Sequence, residues 1–208
     1  MIKRIIFDVD NTLIPWEKEY DQAIVKAYKD FNININEEEL KDFILVLHAY
    51  ENTHSNFNRK LMMNYFNKNY KHGMPLGYID RWLFHLKTMT PSDNALLVST
   101  LEYLSKKYSL VVLTNWYHEG QADRLNNMDI LKYFDHIYGG EKYMKPIKEA
   151  FVLAQGDYDA SECVMIGDNI EIDLSVPKSM GMRTILVTNK DIEYEEKIDD
   201  INKLKEML

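Results

Sequence analysis

The chain of 208 residues holds a single cysteine, Cys163, so no internal disulfide can form. Cys163 sits in the apolar run Cys163-Val164-Met165-Ile166 and reads as a small core residue rather than a reactive thiol. No apolar stretch approaches the roughly 20 residues that span a bilayer. The first residues lead straight into a strand pattern without the composition of a signal peptide. Basic charge is in short supply: 25 Lys and Arg stand against 33 Asp and Glu, for a net charge of −8. That argues against a nucleic-acid binder. It leaves an anionic substrate open, because a bound divalent cation inverts the local field. The histidines show no H-E-x-x-H or other zinc spacing, and no Gly-rich Walker loop supports nucleotide-dependent kinase chemistry. There is no internal repeat and no low-complexity segment. These absences lead us to expect a soluble cytoplasmic protein with neither membrane nor nucleic-acid partners; they leave its oligomeric state open.

What is present is a series of short apolar runs: Ile5–Phe7, Leu110–Leu113, Cys163–Ile166, Thr184–Val187 and a weaker His136–Tyr138. Helical patterns separate most of them. Strands alternating with helices indicate an α/β unit with a parallel sheet. The clearest helix signal is Thr90-Pro91-Ser92-Asp93, with an N-cap, a proline suited to the first helical position and an acid at the positive helix end. Leu97, Leu101 and Leu104 follow at helical spacing. Residues 16 to about 88 carry no strand run and many aromatics. Helical stretches are expected there over Trp16–Phe31, from Asn36 with Glu39 as a capping box, and over Asn56–Asn69 and Leu76–Leu86. We therefore expect a core of residues 1–15 and 89–208 with an all-helical insertion at 16–88. The tail from Ile192 to Leu208 spaces Ile198, Ile201, Leu204 and Leu208 as in a docked C-terminal helix.

Phe7-Asp8-Val9-Asp10-Asn11-Thr12 puts two carboxylates just past the first apolar run. Open parallel sheets bind ligands outside their strand ends, where strand order reverses. A carboxylate there can hold a hard cation or act as a nucleophile; Asp and Asn after a strand can also simply shape a turn. Three further strand ends carry polar residues: Thr114-Asn115, Lys145-Pro146 after Gly139–Met144, and Gly167-Asp168-Asn169 with Asp173 beyond.

These segments, in this order, resemble the four motifs of the haloacid dehalogenase superfamily, in its phosphatase branch with a small helical cap. The resemblance runs from Phe7 to about Val187 and implies a Rossmann-like core. It implies that Asp8 attacks phosphorus and becomes an aspartyl-phosphate. Asp10 protonates the leaving alcohol and then activates water. Thr114, Asn115 and Lys145 bind the phosphoryl group. Mg²⁺ is held by Asp8, the backbone carbonyl of Asp10 and Asp168, with Asp173 behind them. A halide leaves without a proton whereas an alkoxide needs one, so Asp10 favours phosphate transfer over dehalogenation. The expected substrate is a small phosphorylated metabolite. A phosphomutase or other phosphoryl transferase on the same site, and a catalytically silent binding protein of this fold, are the alternatives.

The chain departs from the pattern at Trp116, where related phosphatases commonly have Gly, although Trp116-x-x-x-x-Gln121-x-x-Arg124-Leu125 otherwise resembles the same branch. Val176-Pro177 stands where Gly-Ala is usual. Trp116 and Trp16 either touch substrate or pack beneath the cap. Arg59 and Arg81 are the cap cations that could meet a second anionic group, or else lie on a solvated helix face.

Overall fold

The computed structural model describes residues 1–15, 19–91 and 94–208. Its centre is a parallel sheet: β1 Arg4–Phe7, β2 Ser109–Leu113, β3 His136–Tyr138, β4 Cys163–Gly167, β5 Arg183–Val187 and β6 Lys197–Ile198. The spatial order is β3-β2-β1-β4-β5-β6. The chain builds outward from β1 in one direction, then returns to its other side with β4. The strand order reverses between β1 and β4, and this is where an open α/β sheet leaves a crevice at its carboxyl edge.

The sheet forms from short β-branched and aromatic runs that are buried on both faces. Alternation sorts them. Ile5, Phe7, Leu110, Val112, Val164 and Ile166 face one apolar layer; Ile6, Val111, Leu113, Cys163 and Met165 face the other. Cys163 is fully buried, and burial pushes its thiol up to about 11, which bears out its reading as an inert core residue. The helices α5 Ala95–Ser105, α6 His118–Asn127, α7 Lys148–Gln155, α8 Ser175–Ser179 and α9 Leu204–Met207 complete this unit. No helix among the described residues is long and apolar enough to cross a membrane.

Between β1 and α5 run four helices, α1 Glu19–Lys29, α2 Glu37–Thr53, α3 Arg59–Asn69 and α4 Tyr78–Lys87. Asn36 and Glu39 close the expected capping box at the start of α2, at 2.9 and 3.0 Å. These helices surround a cluster of aromatics that includes Tyr28, Phe43, Phe66, Tyr78 and Trp82. Trp116, Tyr117 and Met144, from loops at the strand ends, belong to the same cluster. Two backbone bonds fasten the α2–α3 loop to the sheet unit: Phe57 donates to Gly140 at 2.8 Å, and Met144 donates to Ser55 at 2.9 Å.

Two expectations are corrected. The helix α5 starts at Ala95, not at Pro91; Asn94 precedes it and spends its side-chain amide on the Met128 carbonyl at 2.5 Å. Ser92 and Asp93, which carried part of the cap signal, lie outside the described residues. The tail is not one helix. Lys197–Ile198 pairs with β5 as an edge strand, and Asp200 then caps a short helical run from Ile201. Edge pairing satisfies backbone groups that a longer helix would have withdrawn from β5.

The two units also meet at α4 and α6. A Cβ built on Gly120 would lie 2.7 Å from Leu83 Cδ2, and Leu83 is buried, so a side chain at 120 would force Leu83 to shift. Gly120→Val is therefore expected to lower stability by about 1–3 kcal/mol through overpacking, read by urea unfolding. The double variant Gly120→Val/Leu83→Ala should lose less than the sum of the two single losses. Strict additivity would show that the two residues do not press on each other.

Candidate active site

Asp8 follows the last residue of β1, with its amide bonded to the Ile166 carbonyl of β4 at 2.9 Å. The chain then turns tightly. The amides of Thr12, Leu13 and Ile14 all point at the Val9 carbonyl, at 3.2, 2.8 and 2.9 Å, and Asn11 takes a positive φ of 61°. Asn tolerates that region better than most residues. The turn brings the Thr12 hydroxyl back to donate to Asp8 Oδ2 at 3.1 Å.

Lys145 reaches the same carboxylate from the loop after β3. Its Nζ donates to Asp8 Oδ1 and to Asp173 Oδ1, each at 2.6 Å. The Asn115 side chain fixes the lysine backbone in both directions: Lys145 N donates to Asn115 Oδ1 at 2.6 Å, and Asn115 Nδ2 donates to the Lys145 carbonyl at 3.0 Å. The other Asp173 oxygen accepts from the Asn169 amide at 3.0 Å. Asp173 comes so close to Gly167 that a Cβ there would meet it at 2.5 Å, so a glycine is needed at the end of β4.

Asp10 turns the other way, toward α6. Arg124 Nη1 donates to its Oδ1 at 2.5 Å, and Gln121 Nε2 donates to its Oδ2 at 2.7 Å. Gln121 also donates to Thr114 Oγ1 at 3.1 Å and accepts from Arg124 at 3.0 Å. Both α6 residues are buried. Sequence reasoning noted them as part of a pattern without giving them a role. Their spacing of three places both on one helix face, but only the fold shows which carboxylate that face meets.

Asp8, Asp10, Thr114, Asn115, Trp116, Lys145, Asp168 and Asp173 all line one cavity of about 170 Å³. Trp116 is buried against Trp82, Phe57 and Tyr20, with ring centroids 4.6, 5.3 and 5.7 Å away, so it packs under the helical unit and also forms part of the cavity wall. Trp16 lies outside the described residues. Arg59 pairs with Asp80 at 2.5 Å and with Glu119, and Arg81 pairs with Asp30 at 2.5 Å; neither lines the cavity.

Burial pushes the Asp8 carboxyl well above its usual range; Lys145 opposes this and the charges of Asp173 and Asp10 reinforce it. Burial likewise pushes Asp168 up to about 6, with Asp173 adding to the effect. Lys145 stays a cation: burial pulls it down, but Asp173 and Asp8 more than offset that. Crowded, under-compensated carboxylates of this kind fit a divalent cation. One oxygen from each of Asp8, Asp168 and Asp173 lies within 4.8 Å of the others, and the cluster contains no His or Cys. A donor set made only of carboxylate oxygen suits the hard-cation class of Mg²⁺ and Ca²⁺ rather than zinc.

Fold and site together define a Rossmann-like hydrolase with its acids at the topological switch point. Residues 5–187 match the family of haloacid dehalogenase-like hydrolases, and the chain belongs to that family. It is 26% identical to a glyceraldehyde 3-phosphate phosphatase of Methanocaldococcus jannaschii, with 100% of this chain and 96% of the relative covered. It is 24% identical to a ribulose-1,5-bisphosphate 5-phosphatase of Halopiger xanaduensis, covering 89% of this chain and 84% of the relative. The fold is shared with the magnesium-bound crystal structure of the HAD-hydrolase YfnB from Bacillus subtilis, at a TM-score of 0.77 and 19% identity over 99% of this chain and 98% of that one.

The lysine bridge yields a stability test. Lys145→Met strands Asp8 and Asp173 without their cation, a loss expected to cost about 3–5 kcal/mol at pH 8. Carboxyls left unpaired in the fold take up protons at higher pH than in the unfolded chain, so the deficit should shrink as pH falls toward 5. Urea unfolding in chelator at both pH values checks this. A deficit that grows toward pH 5 would contradict the ion triad.

Proposed function

We propose that this chain is a divalent-cation-dependent phosphatase that hydrolyses a small phosphate monoester through a phosphorylated Asp8. The observation that carries the reading is the Asp8 carboxylate, bonded to Lys145 and Thr12 in the cavity that Asp10, Thr114 and Asp168 also line. Both relatives named above are phosphatases of small sugar phosphates, and they support the substrate class. Residues 16–88 act in this reading as a cap over the cavity and the remainder as the catalytic core, in a cytoplasmic protein.

An oxygen of Asp8 attacks phosphorus, and the bond from phosphorus to the leaving oxygen breaks. Asp10 delivers its proton to that oxygen, so the product departs as an alcohol. Asp10 then takes a proton from water, which attacks phosphorus; the acyl-phosphate bond breaks, and inorganic phosphate and the Asp8 carboxylate are regenerated. Thr114 donates its hydroxyl to a phosphoryl oxygen, the Asn115 backbone amide assists, and Lys145 offsets the charge that Asp8 and the phosphoryl group bring together. A cation of the Mg²⁺ class, which Asp8, Asp168 and the Asp10 carbonyl would hold, shields the anionic nucleophile from the anionic substrate. Asp173 keeps Lys145 in place. A phosphomutase needs a second phosphate seat. Among the described residues that line the cavity, Lys145 is the one Lys or Arg, and this favours hydrolysis.

The reading is tested with purified protein on p-nitrophenyl phosphate. Turnover should disappear in chelator and return with millimolar Mg²⁺. Asp8→Asn should fall below about a hundredth of the wild-type rate with the fold retained. Full activity of the metal-stripped protein, or of folded Asp8→Asn, would sink it.

Asp10 gives a second test. Asp10→Asn should lose about 10²–10⁴-fold in kcat. Arg124→Met, which frees Asp10 from its grip, should lower kcat more than it raises KM. The double variant should be little worse than Asp10→Asn alone, because residues acting through one group are not additive. Independent losses would show that Arg124 serves the fold rather than Asp10.

A further inference from the structure

The cavity is lined by residues of two kinds. Asp8, Asp10, Asp168 and Asp173 line it together with Lys145, and Arg124 balances Asp10 from α6. Lys145 and a divalent cation together balance Asp8, Asp168 and Asp173. To the same lining the helical unit contributes Tyr20, Leu47 and Phe57, and Trp116 and Ile172 of the sheet unit add to this apolar wall. Into this wall projects one further acid, Glu51 of α2. It lies four residues after the buried Leu47, on the same helix face.

Glu51 is partly buried, with 35% of its side chain exposed. Its partner is His48, whose Nδ1 lies 3.1 Å from Oε2 on the exposed side of α2. Among the described residues that line the cavity, the one Lys or Arg is Lys145, which is engaged by Asp8 and Asp173. The two arginines of the helical unit nearest in sequence are engaged elsewhere, Arg59 by Asp80 and Glu119 and Arg81 by Asp30. Among the described residues that line the cavity, Glu51 is the one acid that the helical unit contributes.

We propose that Glu51 selects the leaving group: the site takes phosphate monoesters whose leaving group is not anionic and donates hydrogen bonds to this carboxylate, and it rejects esters carrying a second anionic group. The inference deepens the phosphatase reading above and rests on it. A hydroxyl or an ammonium on the leaving group satisfies the Glu51 oxygen inside an apolar wall, where an unmet acceptor is costly. A carboxylate or second phosphate there meets a like charge at reduced dielectric, with no Lys or Arg among the described cap residues that line the cavity. Burial pushes the Glu51 carboxyl above its ordinary value, against the pull of His48.

The test uses wild-type protein with Mg²⁺ and two matched pairs of esters. Glycerol 1-phosphate and 3-phosphoglycerate differ by a hydroxymethyl against a carboxylate. Ethanolamine phosphate and phosphoglycolate differ by an aminomethyl against a carboxylate. In each pair kcat/KM should favour the non-anionic ester by about tenfold or more, mostly through KM. Glu51→Gln should narrow both ratios, and Glu51→Lys should narrow them further or reverse them. A greater loss on the ethanolamine ester than on the glycerol ester in Glu51→Gln identifies ammonium as the preferred donor; an equal or smaller loss identifies hydroxyl. Equal kcat/KM within the wild-type pairs, or ratios untouched by both substitutions, would overturn the assignment of Glu51. Failure of folded wild-type protein to hydrolyse even p-nitrophenyl phosphate would instead overturn the phosphatase reading beneath it.

Discussion

The site depends on one buried ammonium. Lys145 lies between Asp8 at the end of β1 and Asp173 beyond β4, 2.6 Å from each. Both carboxylates are almost wholly buried. Without the lysine they would repel each other at a dielectric far below that of water. With it, the strand ends on either side of the switch point are drawn to one cation. The lysine in turn cannot drift, because Asn115 bonds its backbone from both sides. Asn115 belongs to the loop after β2, so three strand ends and the loop after β3 meet in a single polar network. Removing Lys145 leaves two buried carboxylates without their shared cation, and networks of this kind specify one arrangement for that reason.

The helical unit is joined to this network through packing. Trp116 follows Thr114-Asn115 directly, and its ring lies in the aromatic core of the inserted helices, 4.6 Å from Trp82. The loop that presents Thr114 is thus built partly out of that aromatic core. Two backbone bonds from the Ser55–Phe57 segment to Gly140 and Met144 run alongside it. A glycine at position 116 would leave that wall open. The tryptophan fills it, and the bulk that departs from the family pattern forms part of the cavity wall.

Much of this was legible in the sequence, and its limits are physical. The strands were legible because buried parallel strands are short unbroken apolar runs, and the order of four polar strand ends is a pattern that turn chemistry alone does not generate. Asn36 with Glu39 announced a helix start because that cap is local. The start of α5 was misplaced because Thr90-Pro91 satisfies the same local rules while Asn94, drawn to Met128, marks where the chain turns. The tail was misread because helical spacing of Ile198 and Ile201 is equally compatible with a two-residue edge strand followed by a capped turn. Glu51 gave no signal at all. One acid among many on an amphipathic helix acquires meaning only when the fold places its face over a cavity.

Helix α6 joins the helical unit to the polar network. Within one helix, Gly120 admits Leu83 of α4, Gln121 holds both Asp10 and Thr114, and Arg124 holds Asp10 again. Successive residues thus face the helical unit and the proposed acid. A rigid helix cannot shift one of these contacts without disturbing the other, because neighbouring side chains on it are fixed at about 100° to each other by 3.6 residues per turn. The seating of the cap on α6 and the aim of Asp10 are therefore linked mechanically. Gln121 ties the linkage to Thr114, since its single amide nitrogen serves both the Asp10 carboxylate and the Thr114 hydroxyl. In the proposed reaction, the geometry that would set Asp10 at the leaving oxygen is the same geometry that would set Thr114 beside the phosphoryl group, and both are referred to the position of the helical unit.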